Sequence, residues 1–468
     1  MISRSSLPGW LLAAALAALA GCAHYPLNQP LEDQSSRAPY VFNEEAGGKN
    51  TNELFVCLTF SGGGTRAAAL SYGVLQKLRD ARIVWKGQEK SLLDEVDCIS
   101  SVSGGSFTAA YYGLFGERLF VDFRERFLEK NIQGALVGAA ASPANWFRLA
   151  SPTFNRIDLA AEYYDQQLFQ HKTFRDLGVG GRRPYVIINA TNLANGERFE
   201  FTQAEFNILG SDLASYPVAR AVAASSAFPI LLSPLSLKNY PAPDSVKVSK
   251  DMSLAQEDFY RNRRRYQWAK NRADYVDEAQ RPYLHLMDGG LADNIGLRPI
   301  DTAVQRSSGF IRKLFNDGKI EKFVIIVVNA RVDGQEQLSK HEAPPGVLTV
   351  AYKTATIALD NYSFESIERI KELRDQRRQA QRAVASCQAK LDTCPDPPKL
   401  AKFPVDLEPF VVDIDFDAVP DPERRRYFHS LPTSFALSKE QVQKVIDMAG
   451  ELLEADPEYQ ALLQSLRN

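Results

Sequence analysis

Ile99-Ser100-Ser101-Val102-Ser103-Gly104-Gly105-Ser106 is the stretch whose reading decides the rest of the chain. Residues 95–102 form an apolar, strand-like run that ends directly at Ser103-Gly104-Gly105, and residues 107–115 carry a helical pattern. A serine between a buried strand and a helix start, flanked by small residues, has the form of a nucleophile elbow. Such a sharp turn tolerates little bulk, exposes Oγ and leaves backbone N–H groups behind it free. On these residues alone the commoner reading is a plain polar turn with Ser103 capping the helix, so the neighbouring segments must decide.

The unit upstream repeats the pattern. Residues 54–60 are an apolar β-like run, Ser61-Gly62-Gly63-Gly64-Thr65-Arg66 follows, and residues 67–78 place Leu70, Val74, Leu75 and Leu78 on one helical side. Two successive strand–turn–helix units predict an α/β fold with a parallel sheet. Residues 184–192 and 197–202 read as strands joined through Ala194-Asn195-Gly196, and residues 323–328 as a buried strand. Beyond residue 345 the character changes: a long helical pattern over 348–389, densely charged from Glu365, a Pro-rich break at 395–404, a strand at 410–416, and helices over 438–455 and 457–466. Ser438 with Gln441 three positions on forms a capping signal.

A serine nucleophile needs an oxyanion site and a base. Gly62, Gly63 and Gly64 at a strand-to-helix junction leave N–H groups uncovered at the positive end of a helix, which suits a phosphate or a tetrahedral oxyanion. No Lys-[Ser/Thr] pair follows, which argues against a nucleotide P-loop. Asp288 ends a short strand and opens the turn Asp288-Gly289-Gly290, where α/β sheets carry their sites. Of the five histidines, His24, His171, His285, His341 and His429, none has a distinctive setting; His429 is the alternative base for a Ser-Asp-His reading. No Cys/His cluster has metal-ligand spacing, so neither a metal nor a cofactor is expected.

Four blocks together resemble the patatin-like phospholipase family: Gly62-Gly63-Gly64-Thr65-Arg66, Ser101-Val102-Ser103-Gly104-Gly105, Ala224-Ser225-Ser226-Ala227-Phe228-Pro229, and Asp288-Gly289-Gly290 with Asn294. The resemblance covers about residues 54–330. It implies a three-layer α/β/α fold with a mainly parallel central sheet plus a helical C-terminal extension, and a Ser–Asp dyad rather than a triad. On this chain it makes Ser103 the nucleophile, Asp288 the proton acceptor, and the Gly62-Gly63-Gly64 turn the oxyanion hole. Arg66, Gly104, Gly105, Gly289 and Gly290 are supporting residues, with Arg66 ordering the loop and Ser225 and Pro229 structural. The expected chemistry is hydrolysis of acyl esters of membrane lipids, of phospholipase A or lysophospholipase type. A transacylase and a non-catalytic lipid-binding lipoprotein are the alternatives. Two positions depart from the family pattern, Ser101 and Ala67, where glycine is usual.

The amino terminus resembles a bacterial lipoprotein leader. Arg4 precedes a short apolar run, and Leu19-Ala20-Gly21-Cys22 has the form of a lipobox, which implies cleavage after residue 21 and lipidation of Cys22. Ala23 rather than Asp after it points to the outer membrane. The expected organisation is 1–21 signal peptide, 22–50 lipidated flexible tether, 51–345 catalytic domain, and 346–468 a mostly helical region. The length of 468 residues, with 45% hydrophobic and 24% charged residues and a net charge of −2, suits a large globular core and argues against a nucleic-acid partner. Cys57 and Cys98 read as buried core thiols; Cys387 and Cys394 are open between a disulfide and free thiols. Trp146, Phe147 and the Ala-rich run before them are open between a lipid-contacting lid and core. Arg261, Arg263, Arg264 and Arg265 are open between a headgroup-binding patch and a solvated helix face.

Overall fold

The computed structural model describes residues 23–31, 40–45, 47–177, 179, 182–229, 231–247, 250–306, 309–332, 342, 344–394 and 407–467. The expected signal segment 1–21, Cys22, His341 and the Pro-rich break at 395–404 lie outside the described residues.

The strands are β1 (Leu54–Phe60), β2 (Arg82–Trp85), β3 (Gln88–Ser91), β4 (Val96–Val102), β5 (Tyr185–Asn192), β6 (Arg198–Glu200), β7 (Leu235–Lys238), β8 (Tyr283–Asp288), β9 (Lys322–Asn329) and β10 (Glu408–Asp415). The helices that bear on the site are α1 (Gly64–Asp80), α2 (Gly104–Phe115), α3 (Ile132–Ala141), α4 (Pro143–Leu149), α5 (Val218–Ser225), α6 (Gly290–Asp293), α7 (Val347–Leu391) and α8 (Lys439–Ala455). The central sheet runs β10-β9-β1-β4-β5-β8-β7, with β6 paired to β5. Its first five strands are parallel; β8 runs antiparallel to β5 and β7 antiparallel to β8.

Every residue of β1 and β4 is buried. Helices therefore cover both faces of the sheet, and that is why these strands read as unbroken apolar runs rather than alternating ones. The layered, mainly parallel α/β/α architecture follows. Parallel neighbours β1 and β4 also bring the turns at their carboxyl ends side by side, the position at which such sheets carry their sites.

Two expectations change. Cys57 and Cys98 are not free thiols: they are register partners on β1 and β4, and form a buried disulfide with Cα atoms 4.7 Å apart. Cys387 and Cys394 are free and exposed. The mostly helical region after residue 345 packs on the domain, β10 pairing along its whole length with β9 and α8 packing against α1. Ser438 caps α8 through the reciprocal box with Gln441. The described parts of the expected tether are pinned to the domain. The Asn28 amide donates to Ser211 Oγ (2.9 Å) and the Lys238 carbonyl (2.8 Å), and the buried Tyr40 hydroxyl donates to the Val186 carbonyl at 3.0 Å. Aromatic Tyr25, Tyr40 and Phe42 are buried; their apolar area draws a polar-looking segment onto the core.

Candidate active site

The turn that carries Ser103 follows β4. Ser103 follows its last residue with φ 48 and ψ −119, a left-handed backbone that a side chain rarely adopts. Such geometry persists where the surroundings over-determine it. Here the Ser103 N–H donates to Ser225 Oγ at 2.9 Å, and Ser106 Oγ lies 3.0 Å from the same hydroxyl. Ser101, at the usual glycine position, sits in regular strand and needs no special φ. Its hydroxyl donates to the Ile187 carbonyl (3.2 Å) and accepts from Ser106 (3.1 Å).

Space behind the elbow exists only because the residues there are small. A Cβ on Gly104 would stand 2.0 Å from the Gly64 carbonyl oxygen, and one on Gly64 2.3 Å from the Ser434 carbonyl oxygen. Gly64 also has φ +61. The two turns thus touch backbone to backbone, and the C-terminal segment around Ser434 closes the far side.

Asp288 is the last residue of β8. Asp288 is held by its own turn: Oδ1 accepts from the Gly290 N–H at 2.8 Å, its N–H donates to the Ala227 carbonyl at 3.1 Å, and its carbonyl accepts from Thr191 Oγ1 at 2.8 Å. The Ser103 hydroxyl lies close enough to Asp288 to draw its carboxyl downward. Both are nearly closed off, Ser103 at 7% and Asp288 at 5% exposure. Burial pushes the Asp288 carboxyl up to about 7 from an ordinary 3.8, although the Gly290 N–H and the Ser103 hydroxyl pull it back. A base matched to neutral pH is what proton abstraction needs.

The residues 224–229 link the two halves. Ser225 Oγ holds the nucleophile's N–H, the Ser225 carbonyl accepts from Gly289 N–H (3.1 Å), and the Ala227 carbonyl holds Asp288 N–H. Ser225 is a positioning residue, a role that its type and place in the sequence do not reveal.

In the glycine loop the Gly62 N–H is occupied, donating to the Asn294 carbonyl at 2.9 Å. This corrects its expected place among the oxyanion donors. Asn294 is a clasp between the loop and the base turn, and its Oδ1 fills the space that Gly62 and Gly290 leave by lacking side chains. The N–H groups of Gly63, Gly64 and Gly104 have no protein acceptor among the described residues. Thr65 N–H donates to the Ser434 carbonyl at 2.9 Å.

Arg66 holds this loop from beneath. It is 2% exposed and donates through Nε to the Ala330 carbonyl (3.0 Å), through Nη1 to the Leu431 carbonyl (2.7 Å) and through Nη2 to Thr433 Oγ1 (3.1 Å). It ties the end of β9 and the C-terminal segment to α1. Arg66→Lys keeps the charge and loses the planar fork. We expect kcat to fall roughly 10- to 100-fold through displacement of the loop, with the folded state retained, read by ester turnover beside a thermal melt; unchanged kcat contradicts this role.

The described histidines are engaged elsewhere: His24 Nδ1 with the Tyr25 carbonyl (2.6 Å), His171 with Asp165 (2.5 Å), His285 with Ser236 (2.9 Å) and His429 with Asp417 (2.9 Å). Trp146 and Phe147 are exposed rather than core. Arg265 pairs with Asp258 at 2.7 Å, while Arg261, Arg263 and Arg264 face solvent.

The sequence model for the patatin-like phospholipases matches residues 58–303, more than half of the chain, and this span contains Gly62, Ser103, Ser225 and Asp288. The chain belongs to the patatin-like phospholipase family. No curated protein matches it in sequence. Among solved structures, it is similar to human GIVD cytosolic phospholipase A2 at 15% identity and a TM-score of 0.43, over 89% of this chain and 60% of that one. A complex of that enzyme with methyl gamma-linolenyl fluorophosphonate gives 13% and 0.37, over 89% and 59%. VipD from Legionella pneumophila gives 13% and 0.24, over 92% and 72%. The chain thus spans less than two thirds of the cytosolic phospholipase. The matched span brings the Ser103 elbow and the buried Asp288 turn to one side of the fold, and a function can be argued from their proximity.

Proposed function

We propose that this patatin-like protein is a serine acyl-ester hydrolase acting on membrane lipids through Ser103 and Asp288. One observation supports the reading: Ser103, on a strained elbow, stands beside the buried carboxyl of Asp288, which burial pushes up to about 7. Asp288 takes the proton as Ser103 Oγ attacks the ester carbonyl. The Gly63 and Gly64 N–H groups, with Gly104, receive the negative charge on the carbonyl oxygen; one such preorganised donor contributes about 3 kcal/mol. The tetrahedral adduct collapses, the C–O bond to the alcohol breaks, and Asp288 returns its proton to the leaving oxygen. Water then attacks the acyl-serine, Asp288 accepts the water's proton, and the fatty acid leaves as Ser103 regains its hydrogen.

The test is product analysis on phosphatidylethanolamine/phosphatidylglycerol vesicles, wild type beside Ser103→Ala. A hydrolase releases free fatty acid and lysophospholipid in equal amounts. Transfer of the acyl chain to another lipid alcohol, without free acid, makes the protein a transacylase; no acyl turnover makes it a non-catalytic lipoprotein.

The same reading extends to location: a lipoprotein of the bacterial envelope, lipidated at Cys22 and facing the outer membrane. The buried Cys57–Cys98 disulfide supports it, because disulfides persist in oxidising compartments.

A further inference from the structure

We propose that the helical hairpin α3–α4 is the surface on which this protein sits on a lipid bilayer, set beside the mouth of the Ser103 site. The proposal rests on the acyl-lipid reading only for its purpose, not for its geometry.

Residues 132–147 contain no charged side chain. Ile132 is buried and Leu136 packs partly on the core, and these fix the hairpin's base. The outer side is apolar and open: Val137 is exposed, Trp146 is 59% exposed and Phe147 43%. A soluble surface seldom offers two large aromatic groups on a sixteen-residue stretch without charge. The hairpin also satisfies its own polar atoms. Trp146 Nε1 donates to the Ala141 carbonyl (3.1 Å), and the Asn145 amide donates to the Ala139 carbonyl (2.9 Å). Entering an apolar phase therefore costs these groups no hydrogen bond, which is the condition that buried polar atoms impose. Arg148, where the charged sequence resumes, is turned away onto Glu162 and the ring of Phe154.

Position selects the occupant. Ala23, the residue after Cys22, is pinned at the foot of this hairpin: its carbonyl accepts from Ser151 Oγ (2.5 Å) and Thr153 Oγ1 (3.1 Å), and the Tyr25 N–H donates to the Thr153 carbonyl (2.9 Å). A lipid on Cys22, the residue before Ala23, would thus anchor the protein on the side that carries the foot of this hairpin. On its other side the hairpin joins the catalytic machinery. Gln133 N–H donates to the Phe435 carbonyl (3.2 Å), and the preceding residue, Ser434, backs Gly64. Beyond the dyad, α7 packs against α6, which directly follows the Asp288 turn, and leaves Val350, Ile357 and Phe364 exposed at seven-residue intervals along one helical face. Exposed apolar side chains thus stand on the hairpin and on α7, the helix packed against the turn after Asp288. Among the described residues no helix is long and apolar enough to cross a membrane. The hairpin therefore lies in the headgroup region, where tryptophan is favoured.

The test places the full chain on phosphatidylethanolamine/phosphatidylglycerol vesicles whose acyl chains carry bromine, and compares tryptophan quenching with that of Trp146→Phe. The expected result is a quenched component in the wild type that the variant lacks, because the exposed indole lies among the acyl chains. In parallel, the double variant Trp146→Ser, Phe147→Ser is expected to lose about tenfold in hydrolysis of vesicle lipid relative to a dissolved short-chain ester, with its thermal midpoint retained. Equal quenching in wild type and Trp146→Phe overturns the proposal. So does a doubled mass in solution that the double variant reduces to a monomer, since the hairpin then serves a second copy of this chain. Quenching without fatty-acid release leaves the docking surface standing and removes the hydrolase reading; release without the Trp146 component does the reverse.

Discussion

Ser103→Ala is expected to lower acyl-ester hydrolysis by roughly 10^4-fold or more, the range seen when a serine enzyme loses its nucleophile, while the protein stays folded. The hydroxyl stands beside the Asp288 carboxyl, and the elbow itself is held by backbone contacts: Ser103 N–H on Ser225 Oγ and the close approach of Gly104 to Gly64. Alanine keeps the Cβ and the positive φ, so none of these contacts changes. The measurement is turnover of a dissolved ester beside a thermal melt. Residual turnover within tenfold of the wild type contradicts the assignment of Ser103.

Asp288→Asn separates activity from stability. Loss of the base is expected to cost roughly 10^3- to 10^4-fold in kcat, by analogy with other positioned acid–base groups. The stability effect runs the other way. A folded carboxyl pushed up to about 7 from 3.8 holds its proton more tightly than the unfolded chain does, so its contribution to stability falls as pH rises from near 4 through 7 and stays low above. At about 1.4 kcal/mol per pH unit between the two values, the ionised carboxylate costs the fold on the order of 4 kcal/mol at pH 8. An amide of the same shape removes that cost. We therefore expect Asp288→Asn to melt several degrees higher than the wild type at pH 8 and to show little difference at pH 4. The wild type's kcat/KM is expected to rise with pH through about 7, as the free enzyme's Asp288 ionises. A variant that melts lower at pH 8 contradicts the buried-base account, and so does a wild-type profile already flat at pH 5.

What the sequence discloses about this site follows from the physics of each part. Strands β1 and β4 are legible because strands covered on both faces must be apolar throughout. Their turns are legible because only glycine and other small residues permit two backbones to meet as Gly64 and Gly104 do. The family blocks then bring Asp288 to Ser103. The rest depends on contacts between distant segments. That Cys57 faces Cys98 is set by the parallel register of β1 and β4, which neither strand carries alone. The partners of Arg66 at Leu431 and Thr433 lie between the expected strand at 410–416 and the helix from 438, in a stretch with no sequence signal that ties it to the glycine loop. Gly62 resembles its two neighbours in the chain, yet its N–H is taken by the Asn294 carbonyl from across the site. The raised carboxyl of Asp288 is a product of burial, and burial belongs to the assembled molecule. The Ala-rich α3 and the following α4 show the same limit: their pattern allows either a core or a surface position, and packing leaves Val137 on α3 and Trp146 on α4 outside. The short strands β2, β3 and β7 have too few residues to show a period.

The central claim is that Ser103, activated by Asp288, is the group that takes the acyl chain. A fluorophosphonate reacts covalently with such a serine, and the modified peptide can be read by mass spectrometry. The account predicts a single stoichiometric adduct on Ser103, absent in Ser103→Ala and formed far more slowly in Asp288→Asn. An adduct on another serine, or a Ser103 that stays unmodified in the folded wild type, contradicts it.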